Sequence, residues 1–367
     1  MRDFLKRYKI RLETQGPVHI GSGEKLRKQE WILDRGAQEA IIIDTSKFFR
    51  FLSEKGLLQK YEVYVSQSRQ PLHQWLKEQN VRPGDIRTFT AYRLDTGGFD
   101  LRNNRIKDML MAVKDPYGMP YIPGSSLKGA VRNVVLAEMI RRKPADASDV
   151  KRGVAGKFDR RRYLGNEARA LNERYLHTKD VCTKEKSEAV NDAMSGIRIS
   201  DSKSVGLDRL TLCQKIDVPT RGAEKELPLI RECIRPDTTF TFDLTIDETE
   251  AMGITADFIR TAITHFLDDY NGMFLRHFED EHQYRGNVIY LGGGVGFPSK
   301  TVLNQALSGE PERERLKVTA QMMDKMFPKH KHRDDERKGV SPHTAKLTDI
   351  DGELLQMGPC SIEIVSV

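Results

Sequence analysis

The sequence predicts an α+β fold with antiparallel sheets, and three observations carry that prediction. Strand and helix patterns alternate irregularly, without the regular βαβα rhythm of a doubly wound parallel sheet. Several strand patterns follow one another closely enough to pair as hairpins. One long stretch, about residues 141–190, is basic, polar and poor in strand signal, and reads as a helical or mobile insertion.

The elements follow in order. Tyr8, Ile10 and Leu12 alternate with charged residues, the pattern of a half-buried strand. Gly16-Pro17-Val18-His19-Ile20-Gly21-Ser22-Gly23 interrupts it. Trp31–Leu33 and Ala40–Ile43 read as strands, and residues 44–79 as mainly helical. Ile106–Val113 is another strand region. Asp115-Pro116-Tyr117-Gly118 has turn chemistry, with Asp first, Pro second and Gly fourth. From Ser125 apolar residues recur at three and four (Leu127, Val131, Val134, Val135), with Ser125 or Ser126 placed to cap the helix. Ile197–Ser200, Leu210–Ile216 and Leu229–Ile234 are strand candidates. Thr239–Ile246 is the best strand, with Phe240, Phe242, Leu244 and Ile246 on one face. Residues 255–280 form the best helix, and Ile289–Leu291 is a strand that enters a glycine run. Residues 309–346 are charged and read as loop-rich, and Cys360–Val367 ends the chain as a strand.

With 367 residues, the chain suits about two domains or one large one. Its net charge is only +7, but the distribution is uneven: residues 1–30 carry +4, residues 141–170 carry +6, and the remainder sums to −3. A near-neutral body with local basic surfaces suits a protein that meets a polyanion. No apolar run approaches the roughly 18–20 residues of a membrane span, and the charged start lacks the apolar core of a secretory signal. Cys182, Cys213, Cys233 and Cys360 are far apart and form no CxxC pair. They read as buried thiols of a cytoplasmic protein rather than a disulfide or zinc framework.

Four segments carry binding chemistry. In Pro123-Gly124-Ser125-Ser126-Leu127-Lys128-Gly129-Ala130-Val131-Arg132, a strand enters a helix whose first N–H groups suit an anion, with Lys128 and Arg132 one turn further in. A capped helix with two solvated cations is the plainer reading. Gly292, Gly293, Gly294 and Gly296 fit no nucleotide fingerprint: Phe297 stands where GxGxxG needs glycine, and Ser299 precedes Lys300 where a Walker loop needs glycine. What remains is a loop past which another backbone can run closely, or an anion nest, or simply a tight turn. Gly21-Ser22-Gly23-Glu24-Lys25-Leu26-Arg27-Lys28 reads as a glycine-rich turn with a basic flank, suited to phosphate or to solvent. The run through Lys157, Arg160, Arg161, Arg162 and Tyr163 interleaves cations with aromatic rings that can stack on bases, although charge runs are commonly solvated faces.

Catalytic signals are weak. His19 beside a glycine loop suits a general base, and Asp34 and Asp44 a metal, but no spacing requires either. His330 and His332 read as a solvated loop. His265, His277 and His282 have no ligand-pair spacing.

Taken together, Gly16–Glu24, Tyr121–Arg132 and the run Leu291-Gly292-Gly293-Gly294-Val295-Gly296-Phe297-Pro298-Ser299-Lys300-Thr301 resemble the RAMP proteins of CRISPR effector complexes. The order of the three motifs is similar to that in the type III-A (Csm) subunit family that caps the crRNA 3′ end. The resemblance implies tandem ferredoxin-like (RRM-like) βαββαβ domains, here residues 1–195 with the basic insertion and residues 196–367 with the glycine loop. It implies crRNA and other Csm subunits as partners, above all the repeated backbone subunit. It also implies a part in crRNA 3′ maturation through recruited nucleases, with no cofactor and no membrane. In that family, target cleavage belongs to the backbone subunit, through an aspartate after its first strand. Here Ser22–Lys28 offers Glu24 but no Asp, so the expectation is a non-catalytic subunit. By position, Ser125, Ser126, Lys128 and Arg132 are expected at crRNA phosphates, with the glycine loop and Lys300 beside them. Ser22, Gly23, Lys25, Arg27 and Lys28 come second, and Arg160–Arg162 contact RNA or a protein neighbour. The competing readings are an endoribonuclease using His19 or a metal, and an adaptor whose basic patch binds acidic proteins.

Overall fold

A computed structural model describes residues 4–34, 36–99, 108–144, 147–155, 163–181, 189–278 and 283–367. In chain order the strands are β1 (Leu5–Thr14), β2 (Gly21–Arg27), β3 (Trp31–Asp34), β4 (Glu39–Ile43), β5 (Thr90–Leu94), β6 (Asp108–Ala112), β7 (Ile197–Ile199), β8 (Leu210–Pro219), β9 (Lys225–Ile234), β10 (Thr239–Asp247), β11 (Val288–Tyr290), β12 (Thr344–Ile350), β13 (Glu353–Gln356) and β14 (Pro359–Ser366). The helices are α1 (Thr45–Glu54), α2 (Leu58–Gln67), α3 (Leu72–Glu78), α4 (Pro83–Thr88), α5 (Gly124–Arg142), α6 (Ser148–Ala155), α7 (Tyr163–Tyr175), α8 (Ala256–Met273), α9 (Leu303–Ala306), α10 (Glu312–Met326) and α11 (Asp335–Lys338).

The main sheet has the order β11-β14-β1-β10-β7, with every pairing antiparallel. β1 sits in its middle because its alternation gives it one apolar face. Ile10 and Leu12 on that face are buried with Phe240, Phe242, Leu244 and Ile246 of β10 and Ile362 and Ile364 of β14. α5 and α8 cover this face through Leu127, Val131, Val135, Ile259, Ile263 and Phe266. The sub-order β14-β1-β10-β7, with α5 after β1 and α8 after β10, is a βαββαβ arrangement.

That unit is assembled from the whole chain, and the strands do not form two consecutive βαββαβ domains divided at residue 195. The physical reason is that both hydrogen-bonding edges of N-terminal β1 are taken by C-terminal strands, β10 on one side and β14 on the other.

A second sheet, β13-β12-β8-β9-β6-β2, is antiparallel except where β6 meets β9. It too mixes strands from both halves. β3-β4-β5 and α1–α4 enclose a core of their own, around Phe48, Phe51, Leu52, Trp75 and Phe89, in which Tyr64 stacks on Trp75 at 5.1 Å.

Three local expectations need correction. Residues 309–346 are not loop-rich throughout. α10 buries Val318, Met322, Met323 and Met326 against α6 and α9, and β12 begins at Thr344. Gly21–Arg27 is not a turn but β2, the edge strand of the second sheet, with a register shift between Gly21 and Lys25. α5 is not capped by a serine. It starts at Gly124 with Pro123, which has no capping side chain, at the cap position. The insertion contributes α6 and α7, while Arg160, Arg161 and Arg162 lie outside the described residues.

Candidate nucleic-acid interface

Three sequence-distant motifs meet around one cleft of about 500 Å³. Its walls include His19 and Gly21, Ser125, Ser126, Gly129 and Asn133 of α5, and Gly292, Gly293, Ser299 and Lys300. The β1–β2 connection brings the first group there. Val18 bridges to Ile234 and Ile20 accepts from the Val113 N–H, which carries the chain from the main sheet to the second sheet.

The glycine run is shaped by that connection. Gly293 N–H donates to the His19 carbonyl at 2.7 Å, and Gly292 beside it has φ +77°. A side chain at Gly292 would meet that carbonyl, and the positive φ would strain any L-residue. The loop therefore does what its composition predicted: another backbone passes directly beside it. Gly294 and Gly296 also have positive φ and follow on toward Met357 and Lys346.

The start of α5 differs from the expectation in one respect. The Gly124 N–H is already used, donating to Asp201 Oδ1 at 2.7 Å. Ser125 is exposed and Ser126 half-buried at the cleft wall. Lys128 and Arg132 flank the helix face that lines the cleft but are not in its wall. Arg132 is paired with Asp192 at 2.5 Å. Burial pulls the Lys128 amine below its usual value, against the opposing pull of Asp192.

His19 is buried, and its Nδ1 lies 2.8 Å from the Glu232 carbonyl. A carbonyl only accepts, so Nδ1 carries the proton and Nε2 is the free acceptor on the Gly21 side. Burial, then the charges of Arg231 and Lys300, hold the imidazole below its usual pKa, although the Glu232 carbonyl bond opposes them. The Glu232 carboxylate is itself buried and accepts from Tyr92 Oη (2.8 Å), the Ala112 N–H (2.8 Å) and Lys114 Nζ (2.5 Å). Asp34 and Asp44 are spent separately. Asp34 pairs with Arg93 at 3.0 Å and accepts the Gly36 N–H, while Asp44 caps α1 through the Lys47 N–H.

Sequence reasoning missed a group of cations next to this cleft. Lys346 (β12) and Arg231 (β9) both act on Lys215 (β8) across the second sheet. Burial first, then Lys346, pushes the Lys215 amine down to about 8. Lys346 is balanced by Asp217 at 2.7 Å. Arg231 has a buried Nη1 that finds no hydrogen-bond partner among the described residues. Half-buried cations with one carboxylate among them are an electrostatic demand for an anion. Each lies in a strand without local basic enrichment, so only the sheet register reveals the group. Of the second-rank residues, Ser22 bonds to the Met111 carbonyl at 3.2 Å, and Ser22, Gly23, Lys25 and Arg27 are exposed along edge strand β2, with Lys28 half-buried just after it.

His332 is not solvated. It is buried, with Nδ1 2.9 Å from Asp335, and His343 meets the other oxygen of the same carboxylate. His265 ties α8 to α5 through Glu138 at 2.8 Å.

The cleft and the sheets around it define a protein class. The sequence profile of the RAMP superfamily matches residues 11–293, and the chain belongs to that superfamily. Within it, the chain is 26% identical over 401 residues to the CRISPR system Cms protein Csm5 of Mycobacterium tuberculosis (strain CDC 1551 / Oshkosh), covering 99% of each chain. It is 29% identical to the Csm5 protein of Streptococcus thermophilus, over 89% of this chain and 88% of that one. A chain of the cryo-EM Csm–crRNA–target RNA ternary complex of a type III-A CRISPR–Cas system shares the fold, with TM-score 0.64 at 18% identity over 97% of this chain and 100% of that one. The crystal structure of T. onnurineus Csm5 gives TM-score 0.60 at 18% identity over 96% and 99%. The family expected from the three motifs is therefore the one found.

Proposed function

We propose that this chain is a non-catalytic crRNA-binding subunit that caps the 3′-end side of a type III-A CRISPR ribonucleoprotein. In this reading it contributes to assembly of the complex and to crRNA 3′ maturation. The carrying observation is the convergence of the three motifs on one cleft, beside a group of cations that Asp217 balances only in part. Ser125, Ser126 and Lys300 touch the RNA backbone from the cleft, and Lys215 and Arg231 extend the same track across the second sheet. Its partners are crRNA and the other Csm subunits, chiefly the repeated backbone subunit, with trimming nucleases recruited rather than built in. Full-length similarity to Csm5 proteins supports the assignment. Reconstituting the complex with Ser126→Ala/Lys300→Ala tests it. Loss of crRNA from an otherwise assembled complex is expected, and unchanged crRNA retention contradicts the placement of the RNA.

One observation favours a second reading. The Nε2 acceptor of His19 stands at the cleft, where a general base in RNA cleavage would stand. Incubation with labelled precursor crRNA, with and without EDTA, separates the two. A product that His19→Ala abolishes would make the chain a nuclease.

A further inference from the structure

On the far side of α10, the chain returns to the second sheet through short turns, Pro328–His330, His332–Asp334 and α11, with left-handed backbone at Lys331 and Gly339. Such a segment has little repeating backbone hydrogen bonding to fix it. It nevertheless buries a polar cluster. Asp335 is fully inaccessible, His332 is 4% exposed, and His343 is half-buried. The two imidazoles approach opposite oxygens of the one carboxylate, both through Nδ1: His332 to Oδ2 at 2.9 Å and His343 to Oδ1 at 2.6 Å. Ser341 Oγ donates to Oδ2 at 2.7 Å. The three possible ligand atoms lie within 4.8 Å of one another.

We propose that His332, Asp335 and His343 form a zinc site. Two imidazole nitrogens and a carboxylate oxygen are a donor set for a borderline-soft divalent ion. With ligand bonds of about 2.0–2.2 Å, a tetrahedral ion separates its ligand atoms by about 3.4 Å, so the present cluster needs only small side-chain shifts to admit it. Binding through Nδ1 leaves each imidazole's proton on Nε2, so the ion takes the place of the two hydrogen bonds to Asp335. Ser341 keeps the carboxylate oriented from outside, as hydrogen bonds to metal-bound carboxylates do. His343 directly precedes β12, the strand of Lys346. The ion thus clamps the turn segment to the strand that carries part of the basic surface.

The test uses the full chain, stripped with a chelator and dialysed. Zinc is titrated against a chromophoric competitor, and cobalt(II) is added in parallel as a spectroscopic probe. A single zinc ion per chain that outcompetes a micromolar chelator, with intense visible cobalt bands, is the expected result. Those bands should vanish in His343→Ala, and zinc should raise the melting temperature of wild type alone. Zinc that fails to compete, or binding that His343→Ala leaves intact, overturns the proposal and leaves a purely hydrogen-bonded cluster. The wild-type titration decides even if the variant does not fold. It also reads nothing of RNA binding, so its failure and failure of the functional reading are separate results.

Discussion

Glu232 shows how one residue holds the cleft wall. Its carboxylate receives a hydroxyl, a backbone N–H and an ammonium, and its carbonyl fixes the His19 ring. Removing it strands Lys114 and opens a polar gap in a dry region, so Glu232→Ala should cost about 3–5 kcal/mol in urea unfolding. His19 gives a pH dependence. Its folded pKa lies below the ordinary value of 6.5, so the unfolded chain binds the proton more readily. His19 therefore adds stability above about pH 6.5 and loses that contribution as pH falls through the window down to its folded value. Against wild type, His19→Gln should flatten the fall in stability between neutral and mildly acidic pH. A wild-type curve that the substitution leaves parallel would deny His19 this role.

At the scale of elements, the glycine run and the β1–β2 connection form one joint. Gly292→Ala adds a methyl against the His19 carbonyl at a positive φ, so a loss of at least about 1–3 kcal/mol is expected, with a lowered melting temperature as the readout. Gly129→Ala, in open space on the cleft side of α5, should be neutral or slightly stabilising. β1, β10 and α8 were legible in the sequence because each has a single apolar face with a clean period, and α5 because Leu127, Val131 and Val134 recur at three and four, although all of Val134 to Glu138 are buried. α10 was not, because Glu312, Arg313, Glu314, Arg315 and Lys317 crowd its first turns and mask Val318, Met322 and Met326. The β12–β13 hairpin was overlooked although Asp351-Gly352 marks its turn. The burial of His332 had no local signal, since its partners come from Asp335 and, across a turn, His343.

Across the whole molecule, the three phosphate-type motifs could be read from local composition, but their meeting could not. It depends on β1 pairing with β10 and β14, contacts more than 200 residues apart in sequence. A separate register, β8 pairing with β9 and β12 in the second sheet, gathers Lys215, Arg231 and Lys346, none of which stood out alone. The modest net charge of +7 conceals this concentration. The basic surface is therefore made by topology, and salt dependence reports on such a surface directly. The decisive measurement is crRNA affinity against salt concentration for wild type and Lys215→Ala/Lys300→Ala. Each lost phosphate contact should lower the slope by about 0.7–0.9, so the variant should bind more weakly with a slope shallower by about 1.4–1.8. Two parallel lines of equal affinity would show that the RNA does not follow this surface.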